Sequence, residues 1–339
     1  MTQPLLQVKH LTTRFRTERG ELTAVDDVSF TLDAGQTLAI VGESGSGKSV
    51  TAMSLMRLIP NPPGRIANGE VLFEGQDLLK LTEPQMRNIR GNRIAMIFQD
   101  PMSSLNPALT VGLQIAEPVN VHRKMPWTQA YEAAKTLLDR VRIPDAASRL
   151  HTYPHQYSGG MRQRTMIAMA LACSPKLIIA DEPTTALDVT VQAQILDLLK
   201  ALTAETGAAL ILITHDLGVV ARYADAVAVM YGSRIIEQAA ADALYASPQH
   251  PYTRGLLASI PSLHSSAGQR LVPISGQPPD LARLPPGCAF APRCGRADAT
   301  CAASRPALRV ASAGHLVACH HLDVGVASTH QPAEASHAG

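Results

Sequence analysis

No run of apolar residues in this 339-residue sequence approaches the roughly 20 that a membrane-spanning helix needs. The best runs, Ala208 to Thr214 and Ala226 to Met230, have the length of buried strands, so the chain is expected not to cross a membrane by itself. The first ten residues lack a basic segment followed by an apolar one; no secretory signal is expected, and the cytoplasm is the default location. An excess of charge of one sign is also missing. A net charge of +2 gives no sign of a nucleic-acid partner or an anionic membrane. There is no internal repeat. A hydrophobic share of 46% with 17% charged residues excludes general disorder and allows a sizeable core. Single cores seldom grow beyond about 250–300 residues, so a second unit is expected in the last third.

Short alternating apolar runs between Leu5 and Ile40, punctuated by Arg19-Gly20 and Ala34-Gly35, predict hairpin-like strands. Val41 then runs straight into a Gly/Ser loop, and Ser49 to Leu58 repeats apolar residues at helical spacing. Residues 107–164 read as a helical insert, most regular from Thr128 to Val141. Leu177 to Asp181 and Ala209 to Thr214 are near-continuous apolar runs, the pattern of parallel strands buried on both faces, with a helix from Val191 to Ala204 between them. The predicted fold is therefore α/β: an N-terminal antiparallel β region, a parallel core with crossover helices, and a helical subdomain, together spanning residues 1–245. Beyond Ala246 prolines crowd and four of the five cysteines appear, which marks a smaller loop-rich extension over 246–325. Residues 326–339, rich in Ala, Ser and His, read as a disordered tail.

Gly42-Glu43-Ser44-Gly45-Ser46-Gly47-Lys48-Ser49 fits G-x-x-x-x-G-K-S/T and lies between a strand and a helix, where a phosphate-binding loop must be. The glycines let backbone N–H groups curl around phosphate, Lys48 adds a point charge at the β/γ oxygens of ATP, and Ser49 offers a hydroxyl to Mg²⁺. Such a site needs a carboxylate for the metal, and Asp181 closes a buried apolar run. Glu182 follows, placed to polarise an attacking water; a positioned base contributes a rate factor of about 10²–10⁴.

Tyr157-Ser158-Gly159-Gly160-Met161-Arg162-Gln163-Arg164 resembles the signature motif of ATP-binding-cassette transporter ATPases, with Met161 where the family has a glutamine. The resemblance covers about residues 5–245. It implies that Ser158, Gly159 and Gly160 reach the γ-phosphate held by a partner cassette, so hydrolysis requires two cassettes. It further implies that Gln99 is the glutamine-loop residue and a Mg²⁺ neighbour. Asp188, in Thr185-Ala186-Leu187-Asp188, looks like the D-loop aspartate, His215 like the switch histidine, and Phe15 like the aromatic that stacks on adenine. The stretch from Gln99 to about Pro118 is where the family receives a permease coupling helix. A non-transport cassette of translation or DNA repair would show two cassettes or a long coiled-coil insert. A regulatory relative would have lost Glu182, His215 or the signature.

His250-Pro251-Tyr252-Thr253, followed by Pro273, Gly276 and Pro278-Pro279, is similar to the C-terminal extension of dipeptide, oligopeptide and nickel importer ATPases. The expected partners are two permease subunits, a second cassette subunit (a homologue or another copy) and, indirectly, a solute-binding protein outside the membrane. The expected location is the cytoplasmic face of the inner membrane. Peptide is the expected cargo, with nickel or another small solute as the alternative. Cys288, Cys294, Cys301 and Cys319 lack the paired C-x₂-C spacing of most structural zinc sites. They resemble the cysteines that hold a 4Fe-4S iron–sulfur cluster in some peptide-import ATPases; zinc and unligated thiols remain the alternatives. Arg283, Arg293, Arg296, Arg305 and Arg309 flank them, either balancing thiolate charge or solvated. Cys173 reads as a core cysteine.

Overall fold

A computed structural model describes residues 3–18, 20–185, 187–259 and 274–322. The chain opens with β1 (Leu6–Thr17), β2 (Gly20–Leu32), β3 (Thr37–Val41), α1 (Lys48–Leu55), β4 (Gly64–Phe73) and β5 (Gln76–Asp77). The expected N-terminal hairpin is present, with β1 pairing β2 from Leu6↔Leu32 to Thr17↔Gly20. β2, β1, β4 and β5 make, in that order, a four-stranded antiparallel sheet.

α2 (Glu83–Ile89) and β6 (Ile94–Ile97) lead into α3 (Pro101–Ser104), α4 (Val111–Arg123), α5 (Trp127–Arg140), α6 (Ala146–Arg149) and α7 (Gly159–Leu171). This is the expected helical insert. Its last helix runs on to Leu171 because Met166, Ile167, Ala168, Ala170 and Leu171 are buried against the core. The remaining elements are β7 (Leu177–Asp181), α8 (Val189–Thr206), β8 (Ala209–Thr214), α9 (Leu217–Tyr223), β9 (Ala226–Tyr231), β10 (Arg234–Ala240), α10 (Ala241–Ala246), α11 (Pro251–Ala258), α12 (Ala299–Ala303), β11 (Arg309–Ser312) and β12 (His315–Val317).

The second sheet has the order β11-β12-β10-β9-β3-β8-β7-β6. From β9 to β6 it is parallel; the other pairings are antiparallel. Every residue of β3, β7 and β8 is buried. One face is covered by helices, α7, α8 and α9 among them, and the other by α1, α2 and the antiparallel sheet, which is why these strands are written as near-continuous apolar runs.

The extension continues the core sheet: β12 pairs with β10 at Glu237↔Val317 and Gln238↔Leu316. Glu237 is fully buried there. Its carboxylate accepts from Gln249 N–H (2.6 Å), His250 N–H (2.9 Å) and His315 Nε2 (2.7 Å). One side chain thus ties the sheet, the His-Pro-Tyr turn and the last strand together. Tyr231 of β9 packs on Tyr252 and Phe290, with ring centroids 4.5 and 5.3 Å away. Such aromatic pairs contribute about 0.5–1.5 kcal/mol each beyond area burial. Cys173 is buried, as expected of a core thiol. The tail over 326–339 and Ala186 lie outside the described residues.

Candidate functional site

The turn from β3 into α1 is built on glycines, and at two of them a side chain would collide with neighbouring backbone. Gly47 precedes α1 at φ +102°, and a Cβ there would come within 2.3 Å of the Ala24 carbonyl oxygen. Gly42 has φ +154°, and its Cβ would meet the Met230 carbonyl oxygen at 2.2 Å. The chain can therefore curl tightly enough to point consecutive N–H groups into one cradle. Lys48 is folded beneath this loop, 4% exposed, its Nζ donating to the carbonyls of Gly42 (2.8 Å) and Glu43 (3.0 Å). Burial lowers its pKa, against the opposing pull of Glu182, Asp181 and Glu43. Ser46 Oγ is buried without a hydrogen-bond partner, a polar group suited to an anionic ligand.

Opposite the loop stand the ends of the neighbouring parallel strands. Ser49 Oγ donates to Asp181 Oδ1 at 2.9 Å, which brings together the hydroxyl and the carboxylate expected to hold Mg²⁺. Burial raises the Asp181 pKa, and the Ser49 bond opposes the shift. Glu182 has φ +44°, a left-handed conformation that costs a non-glycine residue on the order of 1–3 kcal/mol. Its Oε2 accepts from Gln99 Nε2 (3.0 Å) and Thr185 Oγ1 (2.9 Å), and His215 Nδ1 lies 3.5 Å away. Phe15, Glu43, Ser44, Gly45, Gly47, Lys48, Ser49, Gln99, Glu182 and His215 all line one cleft of about 720 Å³. Phe15, half-buried against Gly64, sits in its wall together with Leu22 and Ala24.

The signature residues lie elsewhere. Ser158 caps α7, its Oγ accepting from Met161 N–H at 3.3 Å. Neither it, Gly159 nor Gly160 lines the cleft. Asp188 caps α8 by accepting from Val191 N–H at 3.0 Å and is likewise exposed. The cleft thus lacks donors from the signature helix of its own chain.

Three contributors were not legible as site residues, and all belong to the extension. Leu281 lines the cleft on the side of Phe15 and Leu22. Tyr252 Oη accepts from Glu43 N–H at 2.9 Å. Arg293 makes a two-pronged bond to the Glu43 carboxylate, Nη1 to Oε2 at 2.7 Å and Nη2 to Oε1 at 3.0 Å. The expectation for Arg293, charge balance for thiolates or solvation, is therefore corrected. Its side chain is 6% exposed and committed to the phosphate loop. Arg305 likewise pairs with Asp26 at 3.1 Å. The signal in the sequence was the His-Pro-Tyr motif itself, whose tyrosine had no assigned contact.

Cys288, Cys294, Cys301 and Cys319 line a single small cavity with His250, His320 and His321, and none forms a disulfide. Burial raises the thiol pKa values of Cys288, Cys301 and Cys319. Among the described residues, the one set of three ligand atoms within 4.8 Å of one another is Asp298, Cys301 and His321. A single tetrahedral zinc with bonds of about 2.3 Å would instead draw thiolate sulfurs to within roughly 3.8 Å of each other. The four sulfurs line this one cavity, and only Cys301 among them belongs to that close trio.

Two family descriptions match this chain: "ABC transporter" over residues 25–185 and "Oligopeptide/dipeptide transporter, C-terminal region" over residues 236–301. The oligopeptide transport ATP-binding protein OppD of Bacillus subtilis (strain 168) is 56% identical over 289 residues, 85% of this chain and 81% of OppD. Two solved structures are similar in fold. The ATP-binding cassette MJ0796, dimeric in a post-hydrolysis state with ADP and Pi, gives a TM-score of 0.63 at 26% identity, over 70% of this chain and 98% of that one. CbiO1 from Clostridium perfringens, part of the transporter complex cbiONQ, gives 0.61 at 26% identity, over 73% and 92%.

Proposed function

The chain belongs to the ABC transporter family, in its oligopeptide/dipeptide branch, and we propose that it is the ATP-hydrolysing subunit that powers peptide import through a separate permease. The observation that carries this reading is the single cleft joining the phosphate loop, Gln99, Glu182 and His215. In this reading the loop from Gly42 to Ser49 holds the phosphates, and Ser49, Asp181 and Gln99 hold Mg²⁺. Glu182 orients and deprotonates the attacking water, and His215 contacts the γ-phosphate. Phe15 stacks on adenine. Ser158, Gly159, Gly160 and Asp188 serve the cleft of a second cassette, since they stand outside their own. ATP would hold the two cassettes closed and hydrolysis would release them, the cycle that drives the permease.

We assign residues 1–245 to the cassette and 246–325 to the extension. No helix among the described residues is long and apolar enough to cross a membrane, so attachment would run through permease subunits at the cytoplasmic face. Exposed Met102, in the Gln99 to Pro118 stretch, and Phe98 just before it supply apolar surface for a permease coupling helix. Cys288, Cys294, Cys301 and Cys319 would hold a 4Fe-4S cluster. Bound there, it would cross-link the loops of the extension through metal–thiolate bonds.

The test is affinity purification of the tagged chain from its own host's membranes under anaerobic conditions, with mass spectrometry and metal analysis. Recovery of a multi-span permease and a second cassette, with iron and acid-labile sulfide, is expected. Recovery with ribosomes or DNA-repair proteins and no permease would overturn the transport reading. Zinc in place of iron would overturn the cluster alone.

A further inference from the structure

Glu43 is the first residue of the phosphate loop after Gly42, and it is held from three sides. Its N–H donates to Tyr252 Oη, its carbonyl accepts from Lys48 Nζ, and its carboxylate accepts both prongs of Arg293. Arg293 is itself fixed: Nε donates to the Ser275 carbonyl at 2.9 Å, and the guanidinium lies over Tyr231 and Phe290, 5.9 and 6.0 Å from their ring centroids. Those two rings pack on Tyr252. Both contacts on Glu43 from outside the loop thus come from residues of the extension that pack with Tyr231 of β9 in one aromatic cluster, about 210 and 250 residues away in sequence. A carboxylate in a phosphate-binding loop is a liability, because it repels the triphosphate that the loop must attract. Glu43 lines the cleft and is close enough to Lys48 to act on its charge.

We propose that Arg293 and Tyr252 are positioning residues of the nucleotide site: Arg293 neutralises and clamps Glu43, Tyr252 fixes its backbone, and ATP affinity therefore depends on the extension. This rests on the reading of the cleft as the ATP site. A planar guanidinium matches a carboxylate with two parallel bonds and holds its geometry as well as its charge. With Arg293 removed, Glu43 would face the phosphates uncompensated, and with Tyr252 removed one of the two carbonyls that anchor Lys48 would lose its support.

The experiment measures displacement of a fluorescent ATP analogue by Mg-ATP from the full-length chain, with thermal melting as a parallel readout. Arg293→Met is expected to weaken ATP binding about tenfold, since removing one partner of a desolvated charge pair leaves the other exposed to the ligand. Arg293→Lys, which keeps the charge but not the fork, should weaken it roughly threefold. Glu43→Gln should bind ATP about threefold more tightly, because Arg293 then faces the phosphates. The double variant should return to within roughly threefold of the unmodified chain. A double variant as weak as Arg293→Met, or a Glu43→Gln variant that binds less tightly, would overturn the proposal and leave Arg293 a packing residue. Should Arg293→Met fail to fold, Arg293→Lys and Glu43→Gln still decide the matter. Lys48→Ala is the control on the underlying reading: unchanged ATP binding there would overturn the site assignment itself, whereas lost binding there with unchanged binding in Arg293→Met would overturn only the clamp.

Discussion

Glu182→Gln separates hydrolysis from binding, and the structure sets what the change should cost. Glu182 Oε2 receives bonds from Gln99 at 3.0 Å and Thr185 at 2.9 Å. A glutamine oxygen in that position can accept both, so the network and the strained backbone at φ +44° should survive. The amide nitrogen then replaces the second carboxylate oxygen, and it can neither accept a proton nor attract the water's hydrogen. Loss of a positioned general base costs a factor of about 10²–10⁴ in rate, or roughly 3–5 kcal/mol on the barrier. Phosphate release should fall by that factor while ATP affinity stays within about threefold, because no phosphate contact is assigned to Glu182. The assay is phosphate release by the assembled transporter beside equilibrium ATP binding by the chain alone. Turnover within threefold of the unmodified protein would remove Glu182 from its assigned role and pass it to another acceptor of the cleft, such as His215.

Lys48→Ala should weaken ATP binding by at least tenfold and abolish measurable turnover, because the one ammonium inside the loop is lost; equilibrium binding and phosphate release check both. Glu237→Ala should destabilise the chain by about 3–5 kcal/mol, since three donors are left without their buried acceptor; a lowered melting temperature and early proteolysis of the extension would show it. Cys294→Ser should abolish visible absorbance from an iron–sulfur cluster in the anaerobically purified chain and release its iron, while the unmodified chain keeps both.

The parallel core and the cleft were legible because they rest on local pattern. Five- and six-residue near-continuous apolar runs that alternate with helical stretches are the pattern of a covered parallel sheet, and a G-x-x-x-x-G-K-S/T loop between strand and helix has few other uses. What could not be read was the joining of the extension to the core. β12 is three residues long, too short to show alternation, and it meets β10 at Glu237, a charged residue in a strand that is otherwise mostly apolar. Nothing in the sequence says that this carboxylate is buried until its three donors are seen. The link from Arg293 to Glu43 was equally hidden. Glu43 reads as one position of the phosphate loop and Arg293 as a neighbour of the cysteines, and only the fold brings them within hydrogen-bonding distance.

The placement of the catalytic groups follows from the direction of the strands. In a parallel sheet all carboxyl ends emerge on one edge, and crossover helices leave that edge open for loops. Here β3 ends in the phosphate loop, β6 is followed by Gln99, β7 ends in Asp181 with Glu182 next, and β8 is followed by His215. The β7–β8 register sets Asp181 against Ile213, and Glu182 N–H then donates to the Ile213 carbonyl at 3.0 Å. That bond fastens the strained residue to the strand that leads into His215. A slip of one residue would break it and turn every core side chain of the strand toward the opposite face. The different packing of the two faces therefore enforces the register, and the register holds Glu182 and His215 side by side. The cost of the strain at Glu182 is carried by the packing of strands that are buried along their whole length.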